Sequence, residues 1–189
     1  MVFEERNKMK KLFALSMAVG IVGAANAYIY NYDVTGTPSW DALGSPNNVV
    51  VMLDLGGGNP VDIAAIGWDV VLSAYGTSWL SEVGVKFSDS AQNTDDDLFL
   101  RPGAGVNNPG TQAFSSGGML DLMTAVGFVI GLHDGLLRME FYESYDDVSD
   151  AIDGQWDSGT ISLDVVPEPA SMIALGSGAV ALMARRRRK

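Results

Sequence analysis

Leu137-Arg138-Met139-Glu140-Phe141-Tyr142 is the stretch that decides the fold class. Apolar Leu137, Met139 and Phe141 alternate with Arg138, Glu140 and Tyr142. A period of two puts one row of side chains on a core and the other toward water, so the stretch predicts a half-buried β-strand. Downstream, Tyr145 to Gly154 is an acidic loop, and Thr160 to Val165 predicts a closing strand.

Working upstream, the same signals recur. Tyr28, Tyr30 and Tyr32 alternate with Ile29, Asn31 and Asp33, and a turn at Thr35–Pro38 follows. Val49 to Leu55 is a β-branched run closed by Gly56, Gly57, Gly58, Asn59 and Pro60. Ile66, Trp68, Val70 and Leu72 share one face, as do Val83, Val85 and Phe87. Ser88 to Asp97 reads as a polar loop, and Leu98 with Leu100 as a short strand. Gly103 to Gly118 is rich in Gly, Asn, Pro and Ser and predicts a long loop. Met119 to Leu132 suits a buried helix or two buried strands, and Gly127 and Gly131 favour strands. Seven to nine short strands with glycine-rich turns predict an all-β protein, an antiparallel β-sandwich or jelly roll. The stretch Gly135–Ser144, with Trp156 and Gly159–Leu163 beyond it, is similar to the closing hairpin of P-domain-like jelly rolls. That resemblance implies the sandwich and no active site.

The charge is unevenly placed. The whole chain carries a net −11, yet Tyr28 to Val166 holds twenty Asp and Glu against only Lys86, Arg101 and Arg138, a net −17. Such a domain repels nucleic acid and anionic membranes and attracts divalent cations. There is no cysteine, which excludes thiol catalysis, disulfides and Cys-ligated zinc.

The positive charge sits in the two ends. Met9, Lys10 and Lys11 open an apolar run from Leu12 to Ala24, and Ala25 and Ala27 are the small residues of a signal-peptide cleavage site after Ala27. Residues 1–27 therefore read as a signal peptide for Sec export, with Met9 as an alternative start to Met1. At the other end Val166, Pro167, Glu168 and Pro169 predict an extended, accessible segment, because each proline disfavours helix before it. Ala170–Ala184 follows, fifteen residues without a charge. As a helix it covers roughly 22 Å, a short span of a hydrocarbon core of about 30 Å. Arg185, Arg186, Arg187, Arg188 and Lys189 form a cytoplasmic stop.

This order of parts resembles the PEP-CTERM protein-sorting signal of Gram-negative bacteria. The resemblance implies export across the inner membrane, a transient membrane anchor, cleavage near the motif by a membrane-embedded exosortase, and delivery to the cell surface or the extracellular space. It also implies a setting rich in exopolysaccharide. The domains expected are the signal peptide, a sandwich over residues 28–165, and a sorting signal over residues 166–189.

Candidate chemistry is sparse. His133 is the only histidine, and its place in a turn reads as structural, so no catalytic residue is assigned and the protein reads as non-enzymatic. No cofactor motif is present; calcium is the one ion the residues suggest. Glu143, Asp146, Asp147, Asp150 and Asp153 crowd one loop, as Asp95, Asp96 and Asp97 crowd another, and hard cations take six to eight oxygen ligands. Trp40 and Trp156 lie by turns and are the candidates for stacking on sugar rings, whereas Trp68 and Trp79 read as core. The expectation is an exported surface or extracellular-matrix protein associated with exopolysaccharide. The alternatives are a calcium-dependent carbohydrate-binding or adhesion module and, third, a secreted hydrolase.

Overall fold

The computed structural model describes residues 26–92, 96–148 and 151–168. The expected signal segment through Ala25, Asp95, Asp150, and the tail from Pro169 to Lys189 with its expected transmembrane helix lie outside the described residues. Among the described residues, eleven strands and one helical turn follow in chain order. They are β1 (Tyr28–Asp33), β2 (Thr37–Ser39), β3 (Val49–Asp54), β4 (Val61–Ala74), β5 (Val83–Asp89), β6 (Leu98–Leu100), β7 (Gly110–Ser115), β8 (Leu120–Asp121), α1 (Leu122–Ala125), β9 (Ile130–Leu132), β10 (Leu136–Glu143) and β11 (Gly154–Pro167). No helix among the described residues is long and apolar enough to cross a membrane.

The strands form an antiparallel β-sandwich of jelly-roll type. One sheet runs β1-β11-β4, with β7, β8 and β9 sharing the far edge of β4 and β2 pairing the first residues of β11. The other runs β3-β10-β5-β6. The two long strands, β4 and β11, are fourteen residues each and pair along their whole length, Val61 opposite Pro167 and Ala74 opposite Gly154. At a rise of about 3.3 Å per residue this ladder is roughly 43 Å long. Two register shifts interrupt it, between Trp156 and Ser158 and between Asp164 and Val165. Gly159, just past the first, has φ +120°, and a Cβ there would come within 2.2 Å of the Asp69 carbonyl oxygen, so only glycine fits.

The core is the meeting of two inner faces. Ile66, Val70, Leu72, Ile161, Leu163 and Val165 come from the first sheet; Val83, Val85, Phe87, Leu137, Met139 and Phe141 from the second. Each side chain of this size contributes about 1.5–3 kcal/mol when fully buried. Trp156 is wholly buried and meets Phe141 edge-to-face, ring centroids 5.5 Å apart.

The structure departs from the sequence expectations in four places. Strand β10 is buried on both faces, because its outward Glu140 lies beneath the segment 44–48: the Gly44 amide and the Asn48 side chain donate to Glu140 Oε1 at 2.5 and 3.0 Å. Gly110–Ser115, expected within a loop, is the edge strand β7. Met119–Leu132 is two short strands flanking one helical turn, with β9 buried and β8 exposed. Finally, β10 and β11 do not form a hairpin: β10 pairs β3 and β5 in one sheet and β11 pairs β1, β2 and β4 in the other.

Candidate functional site

The β4–β11 ladder ends in two chemically different poles. The pole at Gly154 is acidic. In β10, Leu137, Met139 and Phe141 form the core-facing row, and Glu143 takes the next position in that row at the strand's end. The alternation that builds the core therefore carries a carboxyl group into it. Glu143 is wholly buried, and neither of its carboxyl oxygens has a hydrogen-bond partner. Gly154 lies against it: a Cβ at 154 would stand 2.7 Å from Glu143 Oε1 and 2.6 Å from Val83 Cγ2. Burial pushes Glu143 up to about 8, and the charges of Asp153, Glu82 and Asp147 add to the rise. The nearby Ser39 hydroxyl opposes the shift without closing a well-formed hydrogen bond, and Ser39 Oγ is itself buried and unpartnered. Glu143 is accordingly protonated at neutral pH.

The surrounding loops gather here through their backbones. Asp41 O accepts from the Glu143 amide at 2.9 Å, Glu82 O from Ser144 at 2.9 Å and Asp153 O from Tyr75 at 2.8 Å. Glu82 Oε2 accepts from the Trp79 amide at 2.6 Å, and one oxygen of Asp153 from the Val148 amide at 3.1 Å. Burial raises Glu82 as well; the Trp79 amide opposes that rise, and Asp147 and Asp153 add to it. Glu140, three residues before Glu143, is the contrast. Burial favours its neutral form, but Asn48, Gly44 and Arg138 outweigh this and hold it below the usual range, Arg138 at 2.7 Å.

Of the carboxylates expected to bind calcium, Asp153 and Asp147 act on Glu143 through their charge, as does Glu82, which the sequence reading did not name. Asp146 is half-buried, and Asp150 lies outside the described residues. Among the described residues no three His, Asp or Glu side chains close on one point tightly enough to hold a metal ion as they stand. In the second acidic loop Asp97 is taken by Lys86, at 2.6 Å.

The tryptophans change places. Trp156, expected to stack on sugar, is at 0 % exposure in the core, and Trp40 is half-buried. Trp79, expected in the core, is 42 % exposed at the acidic pole, where Tyr75 and Tyr145 are exposed too. Trp68 is half-buried against the core. Glu82 and Ser39 were missed because each sits alone in sequence; Glu143 was named for its acidic neighbours, and its place in the apolar row was the signal of its burial.

The other pole is where the tail begins. Val166 and Pro167 are the last residues of β11, pairing Asp62 and Val61, and the Glu168 amide reaches Pro60 O at 3.4 Å. The first half of the expected sorting motif is thus strand, extended as expected but hydrogen-bonded on the β4 side; a proline at a strand end costs no interior ladder bond. Ala27 precedes β1, whose Tyr28 pairs Val165, so both ends of the domain lie at this pole. Asp62 is raised by burial and by Glu168 and Asp96, with His133 opposing. The Ser90 hydroxyl donates to Asp134 at 2.6 Å, not to the imidazole.

Comparison with curated proteins finds no match. Among solved structures, the infectious bursal disease virus VP2 subviral particle aligns at 12 % identity with a TM-score of 0.36, over 81 % of this chain and 37 % of that one. The nora virus structure aligns at 13 % identity and TM-score 0.29, over 77 % of this chain and 57 % of that one. The chain thus spans little more than a third of the first of these. The sandwich rests on the strand pairing above and not on these likenesses. Residues 165–188 match the PEP-CTERM protein-sorting motif. The acidic sandwich therefore ends in a PEP-CTERM sorting motif, the mark of an exported protein directed to exosortase.

Proposed function

We propose that the chain is a non-enzymatic component of the cell surface or extracellular matrix of a Gram-negative bacterium. Sec exports it, the tail holds it in the inner membrane, exosortase cuts near Val166–Pro169, and the sandwich joins an exopolysaccharide-rich matrix. The observation that carries the reading is the sorting motif over residues 165–188, continuous with β11. A net −17 between Tyr28 and Val166 suits a protein kept apart in a crowded extracellular phase. The test is triple replacement of Pro167, Glu168 and Pro169 by alanine in an exosortase-positive host. The expected result is an uncut form retained in the membrane fraction; unchanged processing and release would overturn the reading. Co-fractionation of the released domain with exopolysaccharide tests the matrix part.

A second reading is a carbohydrate-binding or adhesion module. It is favoured by the exposed Tyr75, Trp79 and Tyr145 around the acidic pole, since flat aromatic faces stack on sugar rings. Loss of glycan binding in Trp79→Ala, with melting unchanged, is the outcome it requires.

A further inference from the structure

We propose that the sandwich itself sets where the chain is cut: exosortase severs it on the C-terminal side of Glu168, with β11 still zipped, and Val166 and Pro167 stay in the released protein. The position of the cut deepens the exosortase reading above, on which it rests. The register of the long ladder carries it. Val166 lies opposite Asp62 and Pro167 opposite Val61, and the Glu168 amide donates to Pro60 O at 3.4 Å. The bonds Val165–Val166, Val166–Pro167 and Pro167–Glu168 therefore all join residues held against β4 or its first flanking residue. The pairing stops there for a chemical reason. In an antiparallel pair of this kind the two residues exchange both bonds, and Pro60 has no N–H with which to return the one it accepts. Glu168–Pro169 is the first bond beyond the ladder.

Burial runs out at the same place. Val165 is wholly buried, Val166 and Pro167 are half-buried, and Glu168 is exposed. A peptidase takes its substrate as a single extended strand, so a bond inside a ladder is reached only through local opening, and its cutting follows the population of the open form. Opening back to Val165 takes a side chain out of the core and breaks pairing with Ile63 on one side and Tyr28 on the other. The sorting motif is thus divided in its work. Val166 and Pro167 finish the fold, and Glu168 is the first of its residues that an enzyme meets without opening the sheet.

Two readouts test this. The purified full chain, in non-ionic detergent, is treated with a proline-specific endoprotease beside a synthetic peptide of residues 161–172, and the fragments are mapped by mass. Cutting after Pro167 should be slower in the folded chain than in the peptide by about tenfold or more. Equal rates would show that the ladder shields nothing and would overturn the proposal. In an exosortase-positive host, the released protein is collected soon after induction and its C-terminal residue is read by intact mass. An end at Glu168 or later is the expected result; an end at Val165, Val166 or Pro167 overturns the proposal and leaves the exosortase reading standing. A chain left uncut in that host removes both, even where the endoprotease finds the ladder protected.

Discussion

The two poles of the β4–β11 ladder handle carboxylates in opposite ways. At the acidic pole Glu143 is sealed beneath Gly154 and Ser39, and burial holds its proton to about 8. At the sorting pole Asp62 is also raised, first by burial and then by Glu168 and Asp96, but it is only half-buried and His133 opposes the rise. The difference lies in solvent access more than in neighbours: each pole sets carboxylates against carboxylates, and only one shuts out the water that would screen them.

The first way to break this contrast is to remove the packing under the acidic pole. Trp156→Ala deletes a fully buried ring against Phe141 and should cost about 3–5 kcal/mol in urea unfolding, with most of the loss expressed as exposure of the Glu143 region. Hydrogen exchange should show Tyr142 and Val83 losing protection before Ile63 and Leu132. Equal loss at both poles would show that the ladder melts as one unit.

The second uses pH, in the presence of EGTA. Glu143 is raised in the fold to about 8 from an ordinary 4.5. The folded state thus holds a proton that the unfolded state releases above pH 4.5, so this group's contribution is full at low pH, falls as pH rises and levels off past its folded value. The slope is at most about 1.4 kcal/mol per pH unit. Glu143→Gln should remove it, and the variant should gain about 2 kcal/mol on wild type between pH 6 and pH 8. Parallel pH profiles for the two proteins would place the ionisation elsewhere.

The smallest effect belongs to the sorting pole. Asp62→Asn should change stability by no more than about 0.5 kcal/mol, because water screens a half-exposed group, and tail processing should proceed as in wild type. A change as large as that at Glu143 would erase the distinction between the poles.

The fold was legible wherever the sequence alternates or carries a β-branched run, even in β10, whose outer face is covered by the segment 44–48. Strands β1 and β10 were found by alternation, β3 by its β-branched run, and the sorting motif by its three ordered parts. Strand β7 was not, because Gly110 to Ala113 are exposed and only Phe114 reaches inward, so there is no apolar period to read. The full lengths of β4 and β11 were hidden too: register shifts at Trp156/Ser158 and Asp164/Val165 break the period of two. At the acidic pole, exposure is decided by loops distant in sequence. Trp156 looks like a turn residue but lies in β11 between β2 and β4, its ring against Phe141; Trp79 looks like a strand residue and stands on the loop before β5. Glu143 was flagged as one ligand in an acidic run, whereas its chemistry comes from sharing a row with Leu137, Met139 and Phe141.

The continuity of β11 with the sorting motif has a mechanical consequence. A pull on the two ends of β11 acts along the strand, parallel to its neighbours. Tension is then met in shear by the whole run of β4 and β1 hydrogen bonds at once, from Tyr28 opposite Val165 to Ala74 opposite Gly154, and not peeled one bond at a time. The pairing that fixes β11 is thus strongest against force along the strand and weakest against force across it.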